Sequence, residues 1–154
     1  MSTNLLSIAV TASAELAFDF VADPTNEKEW NPGVVRAART SPGPIGVGST
    51  FEMVGRMIGR EMVVSLTVTH FDQPHRITTL ATSGPMTFHT TYEVVPDATG
   101  ATVTMSVEAV PSGPLRVLKP LIAAGFARRQ RRLMPRLKAV IDARSANGPT
   151  RTVI

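Results

Sequence analysis

Proton transfer needs a titratable side chain within reach of the reacting atoms, in a site shielded from water. Two residues offer one here. The strand alternation sends Glu52, Glu61, Glu93 and Glu108 to the polar side and leaves His70, Thr90, Tyr92 and Arg36 on the apolar side. Tyr92 would give or take a proton through its phenol, and His70, close to Asp72 at a strand end, would do so directly or through a bound water. Each also has a plainer reading: Tyr92 as a core aromatic whose hydroxyl finds a partner, His70 as a surface histidine. His70, His75 and His89 lack the spacing and companion ligands of a zinc centre, and the chain has no cysteine, so no metal is expected. Gly46-Val47-Gly48-Ser49-Thr50 leads into a strand rather than a helix and carries no lysine, so it is a turn and not a nucleophile elbow or a phosphate loop. No cofactor is implied.

The elements that must position these groups read as follows. Leu5 to Val10 is a first strand. Ser13 can cap a helix over Ala14 to Ala22, which Asp23-Pro24 stops, and a short helical turn over Thr25 to Trp30 ends at Asn31-Pro32-Gly33. From Val34 to Val110 the period is two, cut by turns such as Ser41-Pro42-Gly43-Pro44, Asp72-Gln73-Pro74 and Ser83-Gly84-Pro85 into about six strands. Leu118, Ile122, Phe126, Leu133, Leu137, Val140 and Ile141 then recur at helical spacing and form the stripe that covers the sheet's apolar face. Pro120 falls near the first turn, where a missing N–H costs nothing, whereas Pro135 predicts a bend or a break near Arg131. This is an α+β chain with one domain over 1–145 and a flexible tail over 146–154.

At 154 residues, with 43% hydrophobic and 18% charged residues, the chain can bury one sizeable core. It shows neither a secretory leader nor an apolar run long enough to cross a bilayer, so the expected location is the cytoplasm. The net charge of +4 conceals an asymmetry. Leu115 to Arg144 holds Arg116, Lys119, Arg128, Arg129, Arg131, Arg132, Arg136, Lys138 and Arg144 against Asp142 alone. Such a block reads first as a solvated helix face paired with the acidic remainder. No aromatics interleave the arginines for base stacking, so nucleic acid is not the expected partner. Transient contact with an anionic membrane surface suits the helix better.

The element order, together with Ala14-Glu15-Leu16-Ala17-Phe18-Asp19-Phe20-Val21-Ala22-Asp23-Pro24, Trp30-Asn31-Pro32-Gly33-Val34, Val47-Gly48-Ser49-Thr50-Phe51, Pro74-His75-Arg76 and Gly100 before Thr102-Val103, resembles the START-like (SRPBCC) superfamily, in its polyketide cyclase/dehydrase branch. The resemblance covers the chain to about Arg144. It implies a helix-grip fold: a curved antiparallel sheet of about seven strands wrapped around a long C-terminal helix, with two short helices after the first strand and a cavity between sheet and helix. It implies a ligand such as a lipid or a polyketide, and carries no catalytic motif that transfers residue by residue.

The expected lining is Trp30, Phe51, Met53, Met62, Val64, Leu66, Phe88, Val103 and Met105 from the sheet side and Leu118, Ile122 and Phe126 from the helix. Thr90, Tyr92 and Gln130 are the expected polar contacts, Gln130 lying where the helix stripe has no apolar residue between Phe126 and Leu133. Methionine's adaptable shape suits a pocket that takes more than one ligand, and suits an ordinary core equally. Three functions remain open: a carrier or sensor of an apolar small molecule without covalent chemistry, which predicts a lining poor in buried charge; a polyketide cyclase/dehydratase using Tyr92 or His70; and a protein-interaction or toxin-like module using the basic helix.

Overall fold

The computed structural model describes residues 4–57 and 59–147, with the side chains of Met57, Phe126 and Asn147 outside the description. Of the tail expected over 146–154, residues 146 and 147 close the last helix and the rest lies outside the described residues. Seven strands form one antiparallel sheet: β1 (Asn4–Val10), β2 (Val34–Arg39), β3 (Thr50–Met57), β4 (Arg60–Asp72), β5 (Arg76–Ser83), β6 (Met86–Pro96) and β7 (Ala101–Pro111). Their order is β1-β7-β6-β5-β4-β3-β2, so every neighbouring pair but one is a sequential hairpin or meander step. The exception sets the first strand against the last, with Leu6 opposite Met105 and Ile8 opposite Val103.

Helix α1 (Ala14–Ala22) starts at Ser13, whose Oγ accepts from the Leu16 N–H at 3.2 Å. It buries Ala14, Ala17, Phe18 and Val21 on one face and Phe20 and Ala22 beside it, and Phe18 meets Phe71 edge to face with centroids 5.6 Å apart. A 3-10 turn over Pro24–Glu29 follows, and a second over Gly113–Leu118 leads into α2 (Lys119–Asn147).

Helix α2 runs unbroken through Pro135, so of the bend or break expected near Arg131 the break does not occur. A proline in a helix removes one N–H, and the carbonyl left without its donor is that of the residue four positions earlier. Here that is Arg131, and both Arg131 and Pro135 are exposed, so water can serve the freed carbonyl. The C-terminal part of α2 is pinned to the end of β1 and the residues after it. Lys138 Nζ donates to the Ala9 carbonyl, Asp142 accepts from the Thr11 N–H at 2.9 Å, and Arg144 pairs with Glu29 at 2.7 Å while lying over the Phe20 ring. Leu133, Met134, Leu137 and Ile141 are buried against the sheet, whereas no described residue of α2 before Ala127 is fully buried. The first two turns of the helix therefore cover space rather than core. Among the described residues no helix is long and apolar enough to cross a membrane.

Candidate functional site

That space is a cavity of about 480 Å³ between the inner face of the sheet and the first half of α2. Met53 of β3, Met62, Val64 and Leu66 of β4, and Phe88 of β6 form its apolar wall, and Ile122 and Gly125 of α2 form its roof. Leu121 lines it while remaining 71% exposed, so the cavity opens beside the start of α2, and Arg56, also on the lining, is exposed as well.

One end is polar. The 3-10 turn holds three residues per turn, so Pro24, Glu27 and Trp30 share one face, and Pro24 and Trp30 are buried. That geometry carries Glu27 inward, and its Oε2 accepts from Asn31 Nδ2 at 3.0 Å. Asn31, itself buried, is fixed by its own turn: its Oδ1 accepts from the Gly33 N–H at 3.0 Å and from Arg129 Nη2 at 3.2 Å. A Cβ on Gly33 would overlap the Arg129 guanidinium, so glycine is what lets Arg129 lie there. Gln130 follows Arg129 along the wall, and its Oε1 is buried with no hydrogen-bond partner among the described residues.

Desolvation raises the Glu27 pKa above its ordinary 4.5, against the opposing pull of the Asn31 hydrogen bond and the Arg129 charge. Burial, and then the charge on Glu27, push the Tyr92 hydroxyl well above the usual tyrosine range, so Tyr92 stays protonated. Stability follows in sign. Above the ordinary value and below the raised one, the folded protein keeps a Glu27 proton that the unfolded chain has released, so stability falls as pH rises through that window. Urea unfolding of Glu27→Gln should lack this contribution. Relative to wild type the variant gains stability from pH 4.5 towards neutrality, and a constant difference across that range would refute the raised pKa.

Of the predicted site residues, Met53, Met62, Val64, Leu66, Phe88, Thr90, Ile122 and Gln130 line the cavity. Trp30, Phe51, Val103 and Met105 are packed into the core instead, each at most 4% exposed. Tyr92 packs against the same core and lies within electrostatic reach of Glu27. Leu118 belongs to the 3-10 turn before α2, out of phase with the helix stripe, and is 43% exposed. The side chain of Phe126 lies outside the described residues.

His70 and Arg36, read as facing inward, face solvent. Both errors have one cause. A register shift between Val68 and His70, and another between Val34 and Arg36, each insert a residue and reverse the alternation beyond it. Phe71 takes the inward place beside Phe18, and Ala37 packs against the core where Arg36 would have been. Among the described residues no group of histidines and carboxylates is arranged to hold a metal.

Sequence reasoning missed Glu27, Asn31 and Arg129. Their signal was present. Arg129 lies three residues after Phe126 and four before Leu133, in the same gap that singled out Gln130. Reading the Pro24 segment at three residues per turn would have aligned Glu27 with Trp30. Glu27 and Arg129, partly buried on the lining, also correct the expectation of a lining poor in buried charge that went with a carrier or sensor.

A search among curated proteins finds no match to this chain. Solved structures do resemble it. An aromatase/cyclase, Zhui, from Streptomyces sp. R1128 is 12% identical, with 96% of this chain and 98% of that one covered at a TM-score of 0.73. A START superfamily protein from Mycobacterium smegmatis is 16% identical over 94% and 97% of the two chains, with a TM-score of 0.71. A protein from Thermus thermophilus is 14% identical over 94% and 99%, with a TM-score of 0.73. At these identities the likeness establishes the START-like, helix-grip fold. The family model described as polyketide cyclase / dehydrase and lipid transport matches residues 6–142, and the chain belongs to that family.

Proposed function

We propose that the cavity binds a small molecule with a long apolar body and one oxygen-bearing end, the end seated between Arg129, Glu27 and Gln130. The observation that carries this reading is the contrast inside one cavity: methionine, valine, leucine and phenylalanine along its length, and a hydrogen-bonded Glu27–Asn31–Arg129 cluster at one end. Apolar burial supplies affinity and a few fixed polar groups supply orientation. The guanidinium has donors beyond the one given to Asn31, which suits a carbonyl or carboxylate oxygen. Gln130 Oε1 and the Glu27 carboxylate accept, which suits a hydroxyl.

Native mass spectrometry of protein purified from its own host tests this. The expected result is a stoichiometric lipid or polyketide-like molecule bearing a carbonyl, carboxyl or hydroxyl group. Ala81→Phe, which projects a ring from β5 into the cavity, should be recovered empty while remaining folded. Recovery of the same ligand on that variant would overturn the reading.

A second reading, acid–base catalysis on the bound molecule, rests on the raised pKa of Glu27 beside a fixed cation. Glu27 would take the proton from a carbon next to a ligand carbonyl, Arg129 would stabilise the enolate oxygen, and the same carboxyl would return the proton to a departing hydroxyl as water. Tyr92, protonated and within electrostatic reach of Glu27, packs behind the cavity rather than on its lining and takes no direct part in this step. Glu27→Gln should then abolish turnover of the recovered molecule while leaving its binding within a few-fold. Turnover that survives the substitution would remove this reading and leave the first standing.

A further inference from the structure

Seven large apolar side chains are exposed among the described residues, and four of them (Leu5, Val47, Val63 and Val95) are scattered over the sheet and its loops. The other three, Val117 at 81%, Leu118 at 43% and Leu121 at 71%, fall within five positions where the second 3-10 turn passes into α2. Exposed apolar residues standing singly are ordinary; a cluster at the mouth of an apolar cavity calls for something to cover it.

The charges beside the cluster say what that is. Arg116 and Lys119 interleave with it, and Arg128 and Arg132, seven and eleven residues after Leu121, continue its exposed stripe along the helix. At a rise of about 1.5 Å per residue those two guanidinium groups sit roughly 10 and 16 Å further along α2. None of the four cations has a carboxylate within ion-pair distance among the described residues; the ion pairs of α2 are Lys138 with Asp142 and Arg144 with Glu29, at the pinned end. Of the basic block, only Arg144 forms an ion pair with the acidic remainder of the chain among the described residues.

We propose that the Val117–Leu121 corner and the Arg128–Arg132 stripe dock on an anionic lipid bilayer, with the cavity mouth against the membrane. The apolar corner would enter the headgroup boundary, and the cations, spread along one line rather than gathered around a point, would meet a plane of phosphates. An acidic protein would satisfy the cations but would need a groove or matched patch for three protruding aliphatic side chains, and a fluid acyl layer needs neither. Docked this way, an apolar ligand passes between bilayer and cavity beside Leu121 without crossing water.

Co-sedimentation of the full chain with vesicles tests the surface and does not depend on what the cavity holds. The probes are pure phosphatidylcholine and an equal mixture of phosphatidylcholine and phosphatidylglycerol. Each basic side chain at an anionic surface multiplies partitioning about fivefold, so the wild type should bind the mixture far better than phosphatidylcholine alone, and Arg128→Gln with Arg132→Gln should cut binding about 30-fold. Leu121→Asp and Val117→Asp should each cut it about tenfold or more. Leu5→Asp makes the same change at an exposed site on β1 and should cost little. Absence of binding to the mixture, equal binding to both vesicles, or a loss in Leu5→Asp as large as in Leu121→Asp would overturn the proposal. An acidic protein as the true occupant would appear as the first of these. Because the arginine pair is exposed, that variant reads the surface even where an apolar substitution perturbs folding.

Discussion

Arg129→Met should weaken binding of the molecule recovered from the cavity by about 100-fold, because a polar ligand atom and the cavity's polar end would both lose a charge-assisted partner in a site with little water to replace it. The expected loss appears as a higher concentration needed to displace anilinonaphthalene sulfonate from the cavity. Methionine keeps the unbranched apolar stem of arginine and drops the guanidinium, so the fold should tolerate it. Gly33→Ala gives an independent check. It keeps the guanidinium but places a methyl group where Arg129 Nη2 lies, and the long side chain must swing away from Asn31. Affinity should fall about tenfold with the total charge unchanged, a result that a purely electrostatic role for Arg129 would not give. Unaltered displacement in both variants would exclude Arg129 as the anchor.

The largest effect on stability should come from Gly100→Ala. Gly100 ends the β6–β7 turn with φ at 153°, where side chains rarely go, and its α-carbon lies against the chain leaving β1. A Cβ there would overlap the Val10 carbonyl and come within 2.6 Å of the Ala12 carbonyl oxygen and of the Thr11 carbonyl carbon. These are backbone atoms, which cannot rotate away as the end of an arginine can. They also belong to the segment that α2 grips through Asp142 and Lys138. The cost should be about 4 kcal/mol, a large part of the 5–15 kcal/mol typical of a domain, and should appear as a lower urea midpoint. A shift below about 1 kcal/mol would mean that the β1–α1 junction is softer than its contacts indicate.

Patterning carried most of the fold. The burial of β7 alternates without interruption and β6 keeps its register with it, so Met105, Val103 and Val94 are buried where period two put them. It failed where the strands themselves depart from period two. The irregularities at Val34/Arg36 and Val68/His70 leave no local mark in composition, because the extra residue is stabilised by what lies across the sheet. The site was legible to the same extent. Its apolar wall follows from face assignment, but its polar end is assembled from a 3-10 turn near residue 27 and a helix about a hundred residues later, a proximity that only tertiary packing creates. Arg129 in particular reads as one cation of a solvated run until Gly33 and Asn31 are seen to receive it.

The pairing of the first strand with the last governs how the chain is made. Strands β2 to β7 can zip against one another as they leave the ribosome, each hairpin closing a short loop. Leu6 and Ile8 must wait for Met105 and Val103, about a hundred residues later, which at bacterial or eukaryotic elongation rates is roughly 5–20 s. Through that interval the nascent chain carries an unpaired apolar strand and an open edge on its growing sheet. Chaperone capture of β1, and misassembly between neighbouring chains on one polysome, are therefore the hazards of its synthesis, and both end when β7 emerges and α2 follows to lock the seam.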